Sequence, residues 1–159
     1  MTMAISLTSP LTGAAVTGFA TPTFVLSVDT PPNTYSKQWA ITNQTGGTPI
    51  TGADTTSAAS RPWTITAYRP ASVKTLNAVD STGVLRVVGF NTYGILTRKG
   101  MTPLAGQASK TAQLRSEFSI PAGADSADVP NVKAAVSSHI GALWQQSAGI
   151  GDTLASAVL

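Results

Sequence analysis

The chain has 159 residues, 42% of them hydrophobic and 11% charged, no cysteine, and a formal net charge of +3. The hydrophobic share supports a packed core and excludes wholesale disorder, and the missing cysteines exclude a disulfide framework and a thiolate metal site. The charged share is less than half of the about 25% usual in globular chains. Small uncharged side chains in its place suit β surfaces that touch other protein, a composition that some extracellular β domains share.

The charge is unevenly divided. Through Ser116, nine Lys and Arg stand against Asp29, Asp54 and Asp80, giving +6; from Glu117 onward Lys133 alone stands against Glu117, Asp125, Asp128 and Asp152, giving −3. The first region is therefore the one suited to a polyanion. Residues 1–20 lack a basic start, and Ser9, Pro10, Thr12 and Thr17 interrupt their apolar residues, so they do not read as a signal peptide. No run approaches the roughly 20 apolar residues of a membrane span, and a soluble protein is expected.

In chain order, the first 120 residues read as antiparallel β structure: runs rich in Thr, Val, Ile and aromatics alternate with Gly, Pro and Asn clusters. Strands are expected at 4–8, 14–20, 23–28, 34–42, 61–68, 84–90, 93–99 and 111–120. Asn91-Thr92 is expected to close a tight hairpin, and 43–60 and 100–110 to be loops. In the last strand Ala112, Leu114, Ser116, Phe118 and Ile120 share one face, opposite Thr111, Gln113, Arg115, Glu117 and Ser119. Residues 61–68 divide likewise, with Trp63, Ile65 and Ala67 opposite Thr64, Thr66 and Tyr68. Such a sheet needs a cover on its apolar face only.

After Ile120-Pro121-Ala122-Gly123 the period changes, and Val132, Val136, Ile140, Leu143 and Trp144 recur at helical spacing. Asp125 or Asp128 caps this helix, Pro130 fits its first turn, and Gly149 and Gly151 end it. Asp152 then caps a short second helix through Leu159, with one polar edge and an apolar remainder of Leu154, Ala155, Ala157, Val158 and Leu159. One sheet of this size cannot bury two apolar helices; a partner subunit can. A single α+β domain is therefore expected, with a β region over about 1–120 and a helical region over about 125–159.

Several segments in order carry a family resemblance: Arg69-Pro70-Ala71-Ser72-Val73-Lys74-Thr75-Leu76, Asn91-Thr92-Tyr93, Thr97-Arg98-Lys99-Gly100, Ile120-Pro121-Ala122-Gly123-Ala124-Asp125, and the run from His139-Ile140-Gly141-Ala142-Leu143-Trp144 to Asp152-Thr153-Leu154. Together they resemble the coat proteins of the leviviruses, the positive-strand RNA bacteriophages, from about Arg69 to Leu159. The resemblance implies an antiparallel sheet with an N-terminal hairpin and two C-terminal helices. It further implies an intertwined homodimer whose helices cross the partner, and an icosahedral shell assembled in the host cytoplasm. The open sheet face turns inward onto single-stranded genomic RNA, and a maturation protein joins the shell.

On the strands that face RNA in that family, the polar side offers Thr64, Thr66, Tyr68, Arg86, Gln113 and Arg115. Arg suits phosphate, hydroxyl and amide groups suit base edges, and Tyr68 suits stacking. Gly89, Phe90 and Gly94 depart from the polar or basic residues expected beside them. Val132, Val136, Ile140, Leu143, Trp144 and Leu154 are the expected dimer and helix-packing residues. The loop over 100–110 is expected to adapt at the shell's symmetry axes.

No catalytic set is expected, and no cofactor or metal. His139 is the only histidine and lies beside the apolar stripe, where a structural contact suits it better than a metal. Asp125 and Asp128 precede a helix and suit capping better than acid–base work. Two other function classes stand beside the coat reading: a free single-stranded nucleic-acid-binding β domain, and a subunit of another phage assembly without RNA contact. The first requires aromatics interleaved with basic residues on one face, a condition that Tyr68 alone meets clearly.

Overall fold

The computed structural model describes residues 4–20, 22–46 and 52–159. Among the described residues six strands, β1 (Leu11–Thr12), β2 (Thr23–Asp29), β3 (Ser36–Thr45), β4 (Trp63–Tyr68), β5 (Phe90–Met101) and β6 (Lys110–Pro121), form one antiparallel sheet in chain order. Three helices follow: α1 (Ala124–Ala127), α2 (Val129–Gln145) and α3 (Ser147–Ser156). This is the expected α+β class, with β1 and β2 supplying a short form of the N-terminal hairpin.

The register explains the two faces. Thr64, Thr66 and Tyr68 stand beside Arg98, Leu96 and Gly94 of β5, which in turn stand beside Gln113, Arg115 and Glu117 of β6. Ser36, Gln38 and Ala40 of β3 continue these rows. The opposite face carries Trp39, Ile41, Trp63, Ile65, Ala67, Ile95, Leu114 and Phe118. Its core lies toward β2–β4, where Ile41 is 1% exposed and Trp39 and Ala67 are buried with Phe19. Phe24 meets Phe19 edge-on at 6.3 Å and Trp63 at 5.4 Å between ring centroids, so residues of the N-terminal segment cover that side.

A charged knot pins the β3–β4 connection to β5. Asp54 accepts from Arg61 Nε at 3.0 Å and from Lys99, whose ammonium stands 5.0 Å over the Trp63 ring. The hydrogen bond from Lys99, with help from Arg61, holds the Asp54 carboxyl below its ordinary value against the opposing effect of burial. A carboxyl lowered in the folded state stabilises it above the unfolded value of about 4, and this is lost as pH falls through the lower folded value. Asp54→Asn should therefore cost about 1–2 kcal/mol at neutral pH, with the difference from wild type closing below pH ~4. Urea unfolding at a series of pH values measures both.

Several local expectations are corrected. Residues 4–8 form no strand, and 14–20 form a tight turn with a single Val16–Phe19 bridge. Part of the loop expected over 43–60 is strand, since β3 continues to Thr45; residues 47–51 of it lie outside the described residues. Asn91-Thr92 closes no hairpin, because β5 runs straight through and pairs with β6 from Phe90 to Met101. Asn91 instead clamps the backbone of Lys74, accepting from its N–H at 2.8 Å and donating to its carbonyl at 3.0 Å. The run 84–90, strand-like in composition, is coil up to Gly89 because both neighbours of β5 are already β4 and β6.

The helices also differ in detail. Asp128 occupies the N-cap position of α2 and Pro130 its first turn, but the Asp128 carboxylate accepts from the Asn131 side chain at 2.9 Å rather than from the backbone. Gly149 and Gly151 do not end a helix; both lie inside α3, which begins at Ser147. Asp152 accepts from Thr17 at 2.9 Å instead of capping, and Ser147 donates to the Ala15 carbonyl, so α3 rests on the N-terminal turn. No residue of any helix is buried, and α2 from Ser137 onward is exposed throughout.

Candidate nucleic-acid interface and subunit contacts

Five of the six polar candidates share one sheet face. Thr64 and Thr66 lie on β4 with little surface of their own; Thr66 is 2% exposed and donates to Gln38 Oε1 at 2.9 Å. Gln113 and Arg115 lie on β6 and touch each other at 3.3 Å. Tyr68 reaches across β5 to donate its hydroxyl to Glu117 Oε1 at 2.8 Å, and Arg115 donates to the same oxygen at 3.4 Å.

Arg86 is the exception. It lies off the sheet, in the coil between β4 and β5, where its Nε meets Asp80 at 2.6 Å. The hydroxyl of Thr82, the Val84 N–H and Arg86 together hold the Asp80 carboxyl well below the ordinary carboxylate range. Its place on the polar face is taken by Arg98, which sequence reading did not assign. Arg98 stands between Thr64 and Gln113, is half-buried, and makes no hydrogen bond or ion pair among the described residues. The alternation of Tyr93, Ile95, Thr97 and Lys99 against Gly94, Leu96 and Arg98 carries that signal, which the strand-like composition of 84–90 masks.

Gly94 has a geometric reason to depart from a polar residue. A Cβ there would collide with the tip of the Tyr68 ring and lie 2.8 Å from the Ser116 carbonyl oxygen. Glycine thus lets the ring lean over β5 toward Glu117. Burial, then the hydrogen bond to Glu117 and its charge, raise the Tyr68 hydroxyl above the ordinary tyrosine value. Two outcomes follow. Gly94→Ala should destabilise the fold by about 1–3 kcal/mol through overpacking. Glu117→Gln should move the Tyr68 titration down, with burial still holding it above the ordinary tyrosine value, read as tyrosinate absorbance. A neutral hydroxyl favoured by the fold contributes stability below the unfolded value, lost as pH rises through the higher folded one.

Four of the six contact candidates are left bare. Val132 and Val136 are half-buried, whereas Ile140, Leu143, Trp144 and Leu154 are exposed, Trp144 by 60% and Leu154 by 71%. His139 meets the Phe118 ring edge-on at 5.6 Å, which is a packing contact. On the sheet's apolar side a cleft of about 620 Å³ opens along Ile5, Tyr35, Lys37, Ala67 and Tyr93. Among the described residues no cluster of His, Cys, Asp or Glu is arranged to hold a metal, and no helix is long and apolar enough to cross a membrane.

No protein-family model matches the chain, and no curated protein does. A solved structure does: the subunit of a virus-like particle of bacteriophage ESE020 is 51% identical, with a TM-score of 0.93, and the match covers 98% of this chain and 100% of that one. With half of all positions shared over the full length and the same sheet and helices, the chain belongs to the family of bacteriophage coat proteins.

Proposed function

We propose that the chain is a structural, non-catalytic capsid subunit that dimerises, assembles into an icosahedral shell and packages single-stranded RNA against the polar face of its sheet. The observation that carries this is the bare apolar stripe of α2 and α3 in a chain whose relative forms a virus-like particle. An isolated subunit leaves both halves of a contact open: helices with nothing to cover them, and an apolar cleft of a size to receive side chains. Two copies exchanging helices would fill both and exceed the roughly 2,000 Å² of obligate interfaces. Edge-to-edge joining at β6 would also remove an open strand edge.

Arg98 and Arg115 on the opposite face support the RNA reading, since neither points into the apolar side. The levivirus resemblance adds a virion assembled in a bacterial cytoplasm, with a maturation protein as a further partner. It also makes the loop over 100–110, of which 102–109 is the turn between β5 and β6, the segment that adapts at symmetry axes. The test is expression of the gene alone, followed by light scattering of the purified protein, electron microscopy, and the ratio of nucleic-acid to protein absorbance. Dimers and closed particles carrying RNA are expected. A stable monomer at micromolar concentration would overturn the assembly reading, and empty particles would overturn the RNA reading alone.

A further inference from the structure

Between β4 and β5 the chain leaves the sheet and folds back on itself. Asp80 N–H donates to the Val84 carbonyl at 3.0 Å, Asn77 Nδ2 reaches the Val87 carbonyl at 3.5 Å, and Lys74 lies against Gly89. Residues 73–80 and 84–89 therefore run antiparallel around a tip at 81–83, tightened by the contacts that Asp80 accepts from Thr82, Val84 and Arg86. The root is fixed at three points: the Asn91 clamp on Lys74, the Ala122 N–H on the Gly89 carbonyl at 2.8 Å, and Leu76 against Gly123. This is a built arm with a fixed root.

Its surface does not suit water. Val73, Leu76, Val79, Val84, Val87 and Phe90 are all exposed, Val87 by 65%. A thin arm of two antiparallel coil runs has no interior of its own, and even a regular two-stranded hairpin is marginal at best in isolation. RNA is a poor occupant: the arm's cations are Lys74 and Arg86, and Arg86 is already held by Asp80. The arm is carried by every copy, so its occupant must be present in the same number, and a second copy of this chain meets that condition. The root lies against Gly123, directly before α1 and α2, so the arm starts beside the helices assigned above to the dimer contact.

We propose that residues 73–88 are an intersubunit arm whose apolar side chains pack on the second copy within the dimer. The proposal rests on the dimeric coat reading and adds an interface element that the helices do not account for. In chemical terms the occupant is an apolar protein surface of the same chain.

The cysteine-free sequence gives a direct test. Val87→Cys and Ala105→Cys, the latter on the exposed turn between β5 and β6, are each made in the full chain. Labelling with a small maleimide is then timed on purified dimers. The thiol at position 87 should react at least tenfold more slowly than that at 105, and the two should match in denaturant. A second variant, Val79→Ser with Val84→Ser and Val87→Ser, should raise the dimer dissociation constant at least tenfold while circular dichroism of the sheet is retained. Equal labelling rates in a native dimer, or an unchanged dissociation constant in the triple variant, would overturn the arm alone. A wild-type chain that stays monomeric would overturn the coat reading and the arm with it.

Discussion

Trp144→Ala should leave the sheet of the isolated chain folded and yet dissociate the dimer. Most of the indole is solvent-exposed in the single subunit, so its removal takes nothing from that subunit's own core. In the proposed dimer the cost appears where a second copy covers it. A fully buried Trp truncated to Ala loses about 3–5 kcal/mol. At 1.4 kcal/mol per tenfold, this weakens dimerisation by about two to three and a half powers of ten. Leu143→Ala, at the preceding position, and Ile140→Ala, one turn away on the same stripe, should act in the same direction by about 2–5 kcal/mol each if covered as fully. Sedimentation across a concentration series reads the shift, and near-unchanged far-ultraviolet circular dichroism shows that the subunit's fold persists. A Trp144→Ala chain that dimerises like wild type would remove α2 from the interface.

The architecture was legible from the sequence where period and length left little choice. The alternation through β6 and β4 assigned the two faces, and the change to helical spacing after Pro121 placed α2. What escaped was decided by neighbours. Val84-Leu85-Arg86-Val87-Val88 has the composition of a strand, but β propensity describes a fit to a pleated surface, and β4 and β6 already occupy both edges of β5. That one misplacement carried Arg86 onto the polar face and left Arg98 off it. The glycines of α3 misled for a related reason: Gly149 and Gly151 read as a stop, yet the turn at Ala15–Thr17 holds this helix from outside through Ser147 and Asp152. Gly94 was legible only as an anomaly, because the side chain it makes room for, Tyr68, is 26 positions earlier in the chain and adjacent only through strand pairing.

The polar face makes a graded expectation for its two arginines. Binding dominated by phosphate weakens with salt at a slope of about 0.7 per neutralised charge on a single strand. Arg98 has no partner among the described residues, so Arg98→Ala should remove close to one full increment of that slope. Arg115 already shares its charge with Glu117 and its second amino group with Gln113, so Arg115→Ala should remove less. Glu117→Gln reverses the situation: Arg115 loses its internal counter-ion and one negative charge leaves the face, so the slope and the RNA carried per particle should both rise. The double variant Arg98→Ala with Arg115→Ala should lower RNA content most, while particles still form, because the apolar stripes and the arm lie elsewhere. Absorbance ratios of purified particles and salt titrations of dimers with a labelled single strand measure the series. Equal effects of the two arginines would mean that Glu117 does not restrain Arg115 in solution. Unchanged RNA content in the double variant would remove this face from the packaging role and leave the shell reading intact.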